Sequence, residues 1–130
     1  MIPPGELSRW IDAILPHIKR MADGSGGRFN TEDIVQAIVT GGMQCWVVLI
    51  GAEIACVCIT EIRKYPRMLA LQFVGLVGKG WRRWVHLTAE VEAWGRARGC
   101  QVSESLIAGS KWMAMLPGYR MDHLRVCKPL

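Results

Sequence analysis

From Leu7 to Met21 the apolar residues Leu7, Trp10, Ile11, Ile14, Leu15, Ile18 and Met21 recur at spacings of three and four. That spacing is the buried stripe of an amphipathic helix. Pro16 falls inside it and removes a backbone donor, which predicts a kink or a split into two short helices. The Asp23-Gly-Ser-Gly-Gly27 stretch then reads as a loop, because glycine takes up turn conformations that other residues resist. A second helix follows Asn30, a capping residue flanked by Phe29 and Ile34 at the staple positions. Glu32 and Asp33 suit its positive end, and Gly41-Gly42 stops it.

Beyond Gly42 the pattern changes. Gln44 to Ile50 and Ile54 to Ile62 are rich in Val, Ile, Cys and Trp and are separated by Gly51-Ala-Glu53, a hairpin signature. The polar Arg63-Lys-Tyr-Pro-Arg67 turn leads to a third strand, Met68 to Val77, completing an antiparallel meander. After Gly78-Lys-Gly80 a long helix is expected from Trp81 to Arg98. Trp84, Leu87, Val91 and Trp94 would line one face, Arg82, His86 and Glu90 another, with Glu92 and Arg96 as an ion pair. A strand from Cys100 to Ile107, a short helix from Ser110 to Leu116 and a last strand from Tyr119 to Lys128 complete the expected elements.

A length of 130 residues suits a single domain spanning 1–130, and 51% hydrophobic with 21% charged residues is the balance of a folding chain. Glu53 interrupts the longest apolar run, Cys45 to Ile59, so no membrane span is expected. The N-terminus lacks a secretory pattern, and the expected compartment is the cytoplasm. Five cysteines are an odd number. Cys45, Cys56, Cys58 and Cys100 lie in strand-like segments and read as buried thiols. Cys56 and Cys58 share a strand face, but no Cys/His pair has zinc spacing, which argues against a metal site.

The net charge of +5 is concentrated after Met43, in Arg63, Lys64, Arg67, Lys79, Arg82, Arg83, Arg96, Arg98 and the C-terminal bases. Such an excess suits an anionic partner, either a phosphate-bearing cofactor or nucleic acid, and equally a solvated face. Trp81 and Trp84 flanking Arg82-Arg83 would form a basic-aromatic patch for a protein partner or single-stranded nucleic acid.

The order helix, helix, three-strand meander, glycine turn, long helix, strand, short helix, strand resembles the GNAT superfamily of N-acetyltransferases. Trp94-Gly-Arg-Ala-Arg-Gly-Cys100 is similar to the end of that family's central helix, and Leu116-Pro-Gly-Tyr-Arg120 to its turn into the final strands. The Gly78-Lys-Gly-Trp-Arg-Arg-Trp84 stretch resembles the Gly-x-Gly-Trp-x-x-Trp helix start of the small phage-encoded members. The resemblance implies an α/β (α+β) domain with a mixed, mostly antiparallel sheet flanked by helices. It also implies acetyl-CoA in a notch between the third strand and the strand after the long helix.

A helix start with glycines can take a pyrophosphate on free backbone N–H groups. The expected cofactor segment is therefore Val77, Gly78, Lys79, Gly80, Trp81, Arg82 and Arg83, with the arginines adding charge-assisted contacts. Aligned without gaps from Trp94 and Gly99, the family's Arg/Gln-x-x-Gly-x-Gly/Ala pattern falls on Lys79 to Trp84. Arg82 and Trp84 then take the two small-residue places, and a shift in the loop restores the glycines.

The tyrosine that many members use as a general acid is replaced by Ala114, and Tyr119 reads as a packing residue. Among carboxylates, Glu104 is preferred over Glu61 as a base, because alternation places it with Cys100, Val102 and Leu106 on an apolar face. The third strand offers only Gln72. His17, His86 and His123 have no catalytic neighbour in sequence. Two functions follow from the resemblance. One is an acyl-CoA-dependent N-acetyltransferase acting on an amine, with third-strand amides stabilising the oxyanion. The other is a non-catalytic, virion-associated or protein-interaction module of the same fold.

Overall fold

The computed structural model of the chain describes residues 1–106, 115–123 and 125–130 and contains one mixed sheet. Strands β1 (Met43–Ile50), β2 (Glu53–Lys64) and β3 (Leu69–Gly78) form the antiparallel meander, and β4 (Cys100–Ser105) joins β3 in parallel. A parallel neighbour needs a crossover. Helix α3 (Thr88–Ala97) supplies it, packing Val91 and Trp94 on Cys58, Leu71 and Phe73. Helices α1 (Leu7–Asp23) and α2 (Thr31–Val39) cover the other face, where Ile14, Ile18, Ile34 and Ile38 meet Cys45, Val57 and Ile59.

The start of α2 is a reciprocal cap: Asn30 Oδ1 accepts from the Asp33 N–H at 2.8 Å, and the Asn30 N–H donates to Asp33 Oδ2 at 2.9 Å. Phe29 and Ile34 join the same core. Helix α1, by contrast, is neither split nor ended by Pro16. The carbonyl that loses its donor belongs to Asp12, and both residues are exposed, so water can take the missing donor's place.

The expected helix from Trp81 to Arg98 is shorter than the periodicity suggests. Two 3-10 turns, Trp81–Arg83 and Val85–Leu87, precede α3. Trp84 lies between them at φ −134° and ψ −9°, outside helical torsions, and is only 3% exposed. Its indole N–H donates to the Lys79 carbonyl at 2.8 Å, so a large ring is buried with its polar atom satisfied. Nor does Glu92 pair with Arg96: its carboxylate accepts from the Tyr119 hydroxyl at 3.0 Å.

The helix expected over Ser110–Leu116 lies largely outside the described residues, as does Ala114. The described part of Tyr119–Lys128 forms no strand. Beyond Tyr119 the described residues Met121 and Val126 stand 61% and 91% exposed. Cys127 is accordingly exposed.

Burial pushes the Cys45 and Cys56 thiols from 9.0 up to about 12, and Cys58 is raised as well. The unfolded chain would therefore release these protons near pH 9 while the folded chain keeps them. The stabilisation is complete below about pH 9 and is lost as the pH rises toward about 12, by up to about 1.4 kcal/mol per pH unit for each thiol. Urea unfolding followed between about pH 8 and 10.5 should show this fall, and a Cys45→Ala/Cys56→Ala chain should show a shallower one.

Candidate functional site

The parallel pairing of β3 with β4 stops at Phe73 and Ser105, while β3 runs on to Gly78. At this point β3 carries a bulge. Thr60 pairs with Phe73 and Ile59 with Gly75, leaving Val74 without a partner on β2. Phe73 faces α3, whereas Val74 packs toward α1. Gly75 lies on the α1 side too, where a Cβ would come 2.5 Å from Met21 Sδ. A bulge bends its strand and re-aims the backbone. On the side turned away from β2, the amides from Val74 to Gly78 meet no strand among the described residues. A cleft of about 170 Å³ lies along this edge, walled by Phe73 to Val77, by Arg20 and Met21 of α1, and by Ser105 and Leu106. The Ser105 hydroxyl donates to the Phe73 carbonyl at 3.4 Å and closes the last rung of the parallel pair.

The edge continues into the Gly78-Lys-Gly80 turn. A second bulge, Ala55 on β2, turns its carbonyl outward to accept the Lys79 N–H at 2.9 Å. Gly78 is required by this approach, since a Cβ there would collide with the Ala55 carbonyl oxygen. Gly80 is required by its φ of 63°. Both glycines thus have causes internal to the fold.

The same turn is nevertheless open. Trp84 is folded inward, and Arg82 lies exposed over the Trp81 ring at 5.6 Å. The Arg83 and Trp84 amides bond back to Gly80 and Trp81 at 2.8 and 3.1 Å. Those of Gly80, Trp81 and Arg82 have no partner among the described residues. Lys79, Arg82 and Arg83 all reach solvent around them. Val77, which lines the cleft, links these donors to the strand edge. With Trp84 buried, the expected aromatic patch retains only Trp81 beside its two arginines.

Glu104 is placed elsewhere. A third bulge, at Gln101, pairs Leu69 with Cys100 and Ala70 with Val102. Cys100 consequently packs on the α3 side, and Glu104 does not share its face. The Glu104 carboxylate accepts the Tyr65 hydroxyl at 2.8 Å and does not line the cleft. Glu61 is tied to Arg63 at 3.0 Å. Tyr119 bonds Ser103 and Glu92 and packs edge-on against Phe73, as a packing residue should. Desolvation raises its pKa above the ordinary 10.0. His86 is exposed, His123 bonds Asp122 at 3.2 Å, and His17 is half-buried with Nδ1 unpartnered among the described residues. No described group of three His, Cys, Asp or Glu side chains could hold a metal, and no described helix is long and apolar enough to cross a membrane.

Reading the sequence alone did not single out Arg20, Met21, Ser105 and Leu106 as site residues. Nothing in their spacing joins the end of α1 to the end of β4. The bulge did leave a trace, since Gly75 interrupts an otherwise branched and aromatic strand.

The chain matches no protein-family model and no curated relative. Solved structures, however, share its architecture. An aminoglycoside acetyltransferase, HMB0005, from an uncultured soil metagenomic sample superposes with a TM-score of 0.70 at 16% identity, over 99% of this chain and 95% of the other. Another from such a sample, meta-AAC0020 in complex with sisomicin, gives 0.66 at 12% identity over 99% and 93%. The wild-type protein TTHA1254 from Thermus thermophilus gives 0.60 at 11% identity over 90% of each chain. With its meander, parallel fourth strand and crossover helix, the chain has the fold of the GNAT-type acetyltransferases.

Proposed function

We propose that the chain is an acyl-CoA-dependent N-acyltransferase acting on a primary amine, with acetyl-CoA as donor and residues 1–130 as one cytoplasmic catalytic unit. The observation that carries this reading is the free edge of β3 beyond the Val74 bulge, running directly into an open, cationic turn. The residues fit the donor. Main-chain amides of Gly80, Trp81 and Arg82, with Lys79, Arg82 and Arg83, would hold its diphosphate. The edge from Val74 to Val77 would hold its extended arm by strand-like hydrogen bonds. The acyl thioester supplies an activated carbonyl.

The chain's own part is orientation and electrostatic stabilisation. Amides beside the bulge lie fixed where oxyanion charge develops. Among the described residues lining the cleft there is no carboxylate or imidazole. In this reading the amine attacks in its neutral form, the donor's C–S bond would break to release the thiolate, and the amine's surplus proton would pass to that thiolate through water. An aminoglycoside, being a polycation, would meet Arg20 there and no described carboxylate, so that acceptor is not carried over from the similar structures.

Titration of the protein with acetyl-CoA in a calorimeter should give saturable heat. Lys79→Glu and Arg83→Glu should each weaken binding by roughly tenfold, the loss of a charge-assisted contact. With any acceptor amine, kcat/KM should rise about tenfold per pH unit up to that amine's own pKa. No heat at about millimolar donor would leave the interaction-module reading in its place.

A further inference from the structure

On the opposite side of β3 from the cleft lies a second cavity, of about 140 Å³, between the sheet and the start of α3. Its walls are Trp46, Val48, Cys56, Leu76, Trp84 and Val91, and it shares Phe73 and Leu76 with the cleft. Three of the polar side-chain atoms around it are already bonded within the fold. Trp46 Nε1 donates to Thr60 Oγ1 at 2.9 Å, Trp84 Nε1 to the Lys79 carbonyl at 2.8 Å, and Thr88 Oγ1 to the Val85 carbonyl at 2.6 Å. Burial holds the Cys56 thiol neutral, with its pKa up to about 12. The hollow is open to solvent on one side and mostly apolar in its lining, so a benzene-sized group can enter it and displace water. Among the described residues the ionised side chain lining it is Glu90, which is exposed to solvent, and the exposed Met1, which carries the terminal amine, also lines it.

We propose that this cavity binds the side group of a small aromatic or branched-alkyl primary amine, with Glu90 meeting the ammonium end. This assigns an acceptor class and rests on the acyltransferase reading for its purpose, though not for the binding itself. The apolar group contributes affinity and the carboxylate orients the molecule. Phe73 and Leu76 are common to both hollows, so the two adjoin across β3, and an amine held on Glu90 as its ammonium must lose a proton before it can attack the donor.

Binding of benzylamine and of uncharged benzyl alcohol can be followed by the fluorescence of Trp46 and Trp84, which line the cavity. Benzylamine should saturate the signal and bind more tightly than benzyl alcohol. Val48→Phe, which fills the cavity from a half-exposed position, should weaken both by roughly tenfold or more. Glu90→Gln, at an exposed site that folding does not need, should weaken only benzylamine, by roughly threefold. Equal binding of both ligands to wild type and Val48→Phe would overturn the proposal, as would the absence of any saturable change. Acetyl transfer to unrelated amines without benzylamine binding would reject this acceptor site and leave the transferase reading standing. Benzylamine binding that Val48→Phe abolishes, without any transfer, would support the site and reject the transferase reading.

Discussion

Gly95→Val is expected to lower the unfolding free energy by about 3 kcal/mol, a large share of the roughly 5 to 15 kcal/mol that holds a domain together. Gly95 is buried within α3, where glycine costs about 1 kcal/mol relative to alanine on propensity alone. The compensation is close approach. A Cβ on Gly95 would lie 2.9 Å from Leu71 Cδ2 and 3.2 Å from its Cβ, and Leu71 is fully buried in the sheet. Valine must push α3 off β3. Alanine meets the same obstacle with less bulk and recovers some helix propensity, so Gly95→Ala should cost about 1 kcal/mol. Leu71→Ala alone should cost about 3 kcal/mol, and the double variant should be less damaged than the two single losses together, because the new methyl enters the vacated space. Urea melts of the four chains measure these values. A wild-type midpoint for Gly95→Val would mean that α3 does not sit on Leu71.

The same glycine shows what the sequence could disclose. Local signals survive inspection when their cause is local. The stripe from Leu7 to Met21 encodes α1, Asn30 and Asp33 encode the start of α2, and the Gly51 and Tyr-Pro turns encode the meander. Trp81 to Arg98 also has helical spacing, yet its first half is wound differently because Trp84 gains more from burial and a bond to Lys79 than from helical torsions. Tertiary packing overrides propensity there, and no periodicity count registers it. Tyr119 to Lys128 fails for the converse reason: strand-like residues such as Val126 remain exposed and gain no burial among the described residues.

The candidate site was legible in part for similar reasons. Val77 to Arg83 could be marked because glycines and cations are visible letters; of these residues Val77 lines the cleft, while Gly78 to Gly80, Arg82 and Arg83 are exposed in the turn that follows. Glu104 was misplaced on its face because an extra residue, Gln101, reverses the alternation after Cys100. One inserted residue exchanges the two faces of everything beyond it. The same physics, at Val74, prepares the cleft.

Removing Val74 is therefore expected to abolish the site while keeping the sheet. In the present pairing Thr60 faces Phe73 and Ile59 faces Gly75, with Val74 the extra residue between them. Its deletion joins Phe73 directly to Gly75, leaves both existing pairs intact and restores plain alternation, with Phe73 toward α3 and Gly75 toward α1. Only the half-exposed Val74 side chain is lost from the core, a change of about 1 kcal/mol in stability. What disappears is the re-aimed backbone at the end of the parallel pair, and with it the amide that the proposed reaction uses to stabilise negative charge. Loss of one such donor costs roughly a hundredfold to a thousandfold in kcat. Donor binding at Gly80 to Arg83 should persist, because the turn is anchored separately by Ala55 and Trp84. The expected signature is thus a folded chain that still binds acetyl-CoA, weaker by roughly threefold to tenfold for the lost contact to its arm, with kcat lower by about two orders of magnitude or more. A deletion variant that still transfers acyl groups at the parent rate would show that the bulge has no part in the chemistry, and the oxyanion would then have to be sought elsewhere on the β3 edge.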